Sequence, residues 1–67
     1  MDKETVNRLW DKARREFGLE YWREVPCTEQ CRHCGYPLYR GMDSGYVGSA
    51  EVFCSRRCAV ESLQRLQ

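Results

Sequence analysis

The stretch CRHCGYPLYRGMDSGYVGSAEVFCSRRC, residues 31–58, opens on Cys-x2-Cys and closes on Cys-x3-Cys. Two cysteines separated by two residues can both reach one tetrahedral ion, at about 2.3 Å per sulfur, while the tight turn between them aims backbone amides at the thiolates. Gly35 follows the first pair, where a positive φ is often required. At the other end Ser55 is a good helix cap, so a helix is expected from Arg56, with Cys54 just ahead of it and Cys58 in its first turn. The amides and positive dipole end of that helix favour thiolates. Cys31, Cys34, Cys54 and Cys58 are the expected ligands of one structural Zn2+.

Between the pairs lie two β-prone pieces, Pro37 to Tyr39 and Tyr46 to Phe53, separated by Gly41, Asp43, Ser44 and Gly45. This pattern predicts a hairpin with a loose turn. Behind the second pair, Ala59, Val60, Leu63 and Leu66 form the apolar stripe of the closing helix. Two further side chains compete for the metal. His33 would force three ligands into four consecutive residues, so a surface role is expected for it. Cys27 lies outside the economical set of four and reads as an accessory free thiol near the site.

Upstream, Val6, Leu9, Trp10, Ala13 and Phe17 fall on one face of a helix expected from about Lys3 to Phe17. Asp2 can cap its first turn and Gly18 can end it. The opposite face, with Asp11, Lys12, Arg14, Arg15 and Glu16, reads as solvated surface. The connector LEYWREVP, residues 19–26, carries Leu19, Tyr21 and Trp22 and stops at Pro26. A domain this small has few other large side chains with which to fill a core, so the connector is expected to be packed over the metal-binding half, with presentation of Trp22 to a partner as the alternative.

The chain has 67 residues, and a chain so short buries only about 60% of its unfolded surface, so a staple is expected. Its five cysteines are the candidates; the odd number and the lack of a basic-then-apolar leader favour metal over a secreted disulfide framework. No apolar run approaches the roughly 20 residues that span a bilayer, so no membrane role and a cytoplasmic location are expected. Lys and Arg number 11 against 10 Asp and Glu, which argues against strong non-specific binding to nucleic acid.

Knuckle, hairpin and capped helix, with one cysteine pair at each end, make the arrangement of a treble-clef zinc finger. The expected fold is a small α+β zinc-stabilised domain: an N-terminal amphipathic helix and aromatic connector (1–26) packed as one folding unit on a treble clef (27–67). The span from Cys31 to Val60 resembles TRASH-type treble clefs, in which a cysteine precedes a final Cys-x3-Cys by about twenty residues; here 19 residues separate Cys34 from Cys54. The pieces CRHCGYPLYRG and VFCSRRCA are also similar to MYM-type fingers and to a zinc protein of the archaeal and eukaryotic large ribosomal subunit. Small bacterial zinc proteins that inhibit DNA gyrase share the Cys-x2-Cys-Gly opening and the Phe-Cys-Ser-x-x-Cys close, with a shorter interval. These resemblances cover less than half of the chain.

Function is expected to be that of a non-catalytic binding module. Arg32, Arg40, Arg56 and Arg57, interleaved with Tyr36, Tyr39 and Tyr46, could contact phosphates and bases or a protein surface. The near-neutral charge and the additional helix favour a protein partner, with nucleic acid as the alternative. The TRASH resemblance implies metal sensing or transfer as a second reading, with Cys27 as the transfer thiol. Catalysis is disfavoured, because four thiolates close a tetrahedral coordination sphere and His33 is the only histidine.

Overall fold

In the computed structural model, which describes residues 2–66, the chain begins with helix α1, Lys3–Phe17. The Asp2 carboxylate accepts a 2.7 Å hydrogen bond from the Thr5 amide, which satisfies a free donor of the first turn and holds the Asp2 pKa below its usual value. Gly18, at φ 66°, ends the helix by donating its amide to the Arg14 carbonyl. Val6, Ala13 and Phe17 are buried on one face, with Leu9 and Trp10 half-buried beside them. The opposite face is solvated, and there Asp11 pairs with Arg14 at 3.3 Å and Arg15 at 2.8 Å.

Five short strands follow: β1 (Glu20–Trp22), β2 (Glu29–Gln30), β3 (Pro37–Leu38), β4 (Gly45–Val47) and β5 (Val52–Phe53). A three-stranded antiparallel sheet has the order β1-β4-β5, with Tyr21 opposite Tyr46 and Tyr46 opposite Phe53. β2 and β3 form a separate antiparallel pair. Helix α2, Arg56–Arg65, closes the fold and packs on α1. Phe53 and Val60 are fully buried between these layers, and the Phe53 ring meets that of Phe17 at a centroid distance of 5.2 Å. The radius of gyration, 11.1 Å, is that of a compact small domain. Among the described residues, no helix is long and apolar enough to cross a membrane.

The hairpin differs from the expected one. Pro37–Leu38 does not pair with the run from Tyr46 to Phe53; it lies against Glu29–Gln30, and the later run folds back on itself. Local closure explains both outcomes. The Gly48 amide donates to the Glu51 carbonyl at 2.7 Å, which makes a tight turn inside what the sequence presents as one strand. The Gly- and Asp-rich segment after Leu38 closes separately: Met42 and Asp43 amides bond the Tyr39 carbonyl, and the Asp43 carboxylate accepts from the Tyr39 amide at 2.7 Å. Val25 fastens that loop through its amide to the Asp43 carbonyl and its carbonyl from the Gly41 amide.

The connector also departs from expectation. Leu19 and Val25 are buried, but Tyr21 is 60% and Trp22 40% exposed. Both aromatics belong to β1, an edge strand whose three residues are all exposed, so the core is filled by the aliphatic residues on either side of it. Leu66, the expected end of the α2 stripe, lies beyond the helix and is exposed.

Gly48 also marks where the hairpin turn presses on the end of α1, because a Cβ built there would overlap the Phe17 carbonyl oxygen and crowd the Leu19 side chain. Gly48→Ala is therefore expected to cost about 1–3 kcal/mol through forced displacement of packed backbone. The measurement is the thermal midpoint of the metal-loaded protein; an unchanged midpoint would show that the turn yields freely.

Candidate metal centre

Three local structures bring the cysteines together. The first is the knuckle that follows β2, where the Cys31 amide donates to the Tyr36 carbonyl at 2.9 Å and the Gly35 amide returns to the Cys31 carbonyl at 2.8 Å. Gly35 has φ 78°, the left-handed conformation that glycine adopts without steric cost. The second is the hairpin, to which the knuckle is fastened by the Arg32 amide and the Val52 carbonyl at 2.9 Å. Cys54 comes directly after β5. The third is the start of α2, where the Ser55 hydroxyl accepts from the Cys58 amide at 3.3 Å and sets Cys58 in the first turn.

The sulfur atoms of Cys31, Cys34, Cys54 and Cys58 all lie within 4.8 Å of one another. Cys34 and Cys58 each stand 3.5 Å from the Cys54 sulfur. Four sulfurs bound to one Zn2+ at about 2.3 Å would be about 3.8 Å apart along the edges of a tetrahedron. The cluster therefore fits one tetrahedral thiolate-bound ion. All five cysteines are free thiols, and a 3.5 Å separation is far beyond the roughly 2 Å of a disulfide.

The surroundings divide the thiols. Burial pushes the Cys31 thiol up, but the amides of Cys34, Cys54 and His33 and the Cys34 thiol stabilise its thiolate more strongly, so its pKa falls to about 7. Burial, followed by the neighbouring thiols, raises Cys54; burial also raises Cys58 against the opposing hydrogen bond of Ser55. In the metal-free protein the cluster thus carries its negative charge first on Cys31. Metal entry at neutral pH must displace protons from Cys54 and Cys58, and acid must compete with the ion. Zinc titration in weakly buffered solution near pH 7, followed with an indicator dye, is expected to release roughly two protons or more per ion. Release of fewer than one would mean that the cysteines do not ligate as thiolates.

His33, expected at the surface, is mostly covered, with its side chain 20% exposed. It lies between the first two cysteines, and its Nε2 stands 3.6 Å from the Glu61 Oε1 on α2. The other Glu61 oxygen accepts from Arg57 Nε at 3.1 Å. Glu61 thereby brings the knuckle next to the helix carrying Cys58, a proximity with no signal in the local sequence, since the partners are 28 residues apart.

The remaining candidates do not form one patch. Cys27 is exposed and outside the sulfur cluster; with Arg32, His33 and Tyr39 it lines an open cleft of about 1120 Å3 between the knuckle and the 47–52 turn. Arg56 lies in a different cleft, with Tyr46 and Trp10. Arg57 is paired with Glu61, and Arg40 and Tyr36 are exposed outside both clefts. The gathering of Trp10, Tyr21, Tyr46 and Arg56 was not legible locally, because it joins four separate elements.

Comparison of the chain with protein-family models, with curated proteins and with solved structures finds no match.

Proposed function

We propose that this chain is a treble-clef zinc finger that serves as a non-catalytic interaction module with a protein partner. The observation that carries the reading is the convergence of four thiols from a knuckle, a hairpin end and a helix start within 4.8 Å. One Zn2+ on Cys31, Cys34, Cys54 and Cys58 would join the knuckle, the end of β5 and the start of α2 through a single centre. Four thiolates complete a tetrahedral sphere, which suits a structural ion and leaves no position for substrate. The ion's place in function is then to hold surfaces in register, and the exposed aromatic and arginine side chains are the parts available to a partner.

A second reading, metal sensing or transfer, draws on a specific feature: Cys34 is an exposed member of the cluster, and it lines the same cleft as the exposed Cys27. An incoming thiol could reach the ion from that side. Native mass spectrometry before and after a mild chelator separates the two readings. A structural finger is expected to carry one zinc that survives the chelator, and Cys27→Ser is expected to retain it equally. Rapid exchange that slows in Cys27→Ser would favour transfer, and a protein that takes up no zinc when it is supplied would refute both.

A further inference from the structure

We propose that the cleft between α1, β1, β4 and the start of α2 binds a short acidic peptide segment of a protein partner, with Arg56 as the receptor for its carboxylate. The inference rests on the interaction-module reading and assigns the face and chemistry that reading leaves open. The cleft has a volume of about 500 Å3 and is lined chiefly by Trp10, Arg14, Glu20, Tyr21, Tyr46 and Arg56. Its walls are aromatic: Trp10 meets Tyr46 edge-to-face at 4.8 Å, and Tyr21 meets Tyr46 at 5.3 Å.

Arg56 is oriented within this frame. Its Cζ stands 5.5 Å from the centroid of the Trp10 ring, and its Nε donates to the Tyr46 hydroxyl at 3.1 Å. These contacts set the guanidinium without a counter-ion: among the described residues, no carboxylate lies within ion-pair distance of Arg56, whereas Arg14 and Arg15 pair with Asp11 and Arg57 with Glu61. A positioned guanidinium with its terminal nitrogens outside any described hydrogen bond is suited to the two-pronged capture of a carboxylate. Tyr21, 60% exposed beside it, offers apolar area to a neighbouring aliphatic or aromatic side chain. Trp, Tyr and Arg together are the residue types that dominate binding hot spots.

Two observations select an extended peptide. β1 is an edge strand, so a peptide can lie along Glu20–Trp22, take up its unpaired main-chain groups and direct alternate side chains beside Tyr21. The charge is wrong for a polyanion: four thiolates and one Zn2+ convert the formal net charge of +1 to −1, and Glu20 stands in the cleft wall. One or two carboxylates are accommodated where a run of phosphates is not.

The test is selection of a random twelve-residue peptide phage library on the zinc-loaded full chain, followed by anisotropy titration of the selected synthetic peptides. The selected sequences are expected to carry Asp or Glu beside an aliphatic or aromatic residue. Converting that acid to its amide, or Arg56→Lys in the protein, is expected to weaken binding about tenfold or more, while Arg65→Lys leaves it unchanged. Arg56→Lys retains the charge and loses the fork, and a thermal melt of each variant separates lost binding from lost fold. Absence of acidic peptides, equal binding by the Arg56→Lys protein, or tighter binding of a ten-residue oligothymidylate would overturn the assignment. These outcomes in a protein that retains its zinc defeat the cleft alone; failure to hold zinc defeats the module reading.

Discussion

Stripping the metal, or replacing Cys58 by Ser, is expected to unfold the C-terminal half of the protein. Structural zinc sites contribute about 10–16 kcal/mol of apparent binding free energy, as much as or more than the roughly 5–15 kcal/mol that separates a whole folded domain from its unfolded chain. The apolar core here is small, with Phe53, Val25 and Val60 as its largest fully buried side chains. Such a core cannot replace a term of that size. Cys58 is itself buried in the core cluster beside Ala59 and Leu63, so its loss removes one of the four clustered sulfurs and disturbs the helix that carries it. The expected result is collapse of amide chemical-shift dispersion for residues 27–66 on chelation, recovered when zinc is restored, and the same collapse without recovery in Cys58→Ser. Cys27→Ser, which alters an exposed thiol outside the cluster, is expected to match the parent protein. A metal-free protein with full dispersion would remove zinc from the account of this fold.

The difference in legibility between the metal centre and the rest has a physical origin. Ligand pairs, the glycine after the first pair and the serine cap before α2 are local signals, because each acts on backbone within a few residues. The bounds of α1 were legible for the same reason: its periodicity, Asp2 and Gly18 are all local. Strand pairing is not local. Whether Pro37–Leu38 joins Glu29–Gln30 or the run after Gly45 depends on where two turns close, and Gly48 looks in sequence like any glycine inside a strand. The exposure of Tyr21 and Trp22 follows from β1 lying at a sheet edge, which hydrophobicity alone does not report. The same limit applies to Arg56, whose neighbours Trp10 and Tyr46 lie 46 and 10 residues away.

Phe17→Ala is expected to weaken zinc binding although Phe17 is remote in sequence from every ligand. Phe17 is buried on α1, its ring packs on Phe53 at 5.2 Å, and Phe53 directly precedes Cys54 of the sulfur cluster. Truncating a buried phenylalanine costs about 3–5 kcal/mol, from lost transfer energy and the cavity left behind. If the ion binds only the folded chain, that cost appears in full in the apparent zinc affinity, because folding and binding are one equilibrium. The affinity is then expected to fall about 10^2- to 10^4-fold, measured by competition with a chromophoric chelator. Leu66→Ala, at an exposed position beyond α2, controls for loss of apolar surface as such and is expected to leave affinity unchanged. Equal affinity in Phe17→Ala and the parent, with helix content lost, would mean that α1 is an appendage and that the metal-binding half folds without it. A matched fall in affinity and thermal midpoint would mean that the fifteen-residue amphipathic helix supplies core on which the four-cysteine cluster depends.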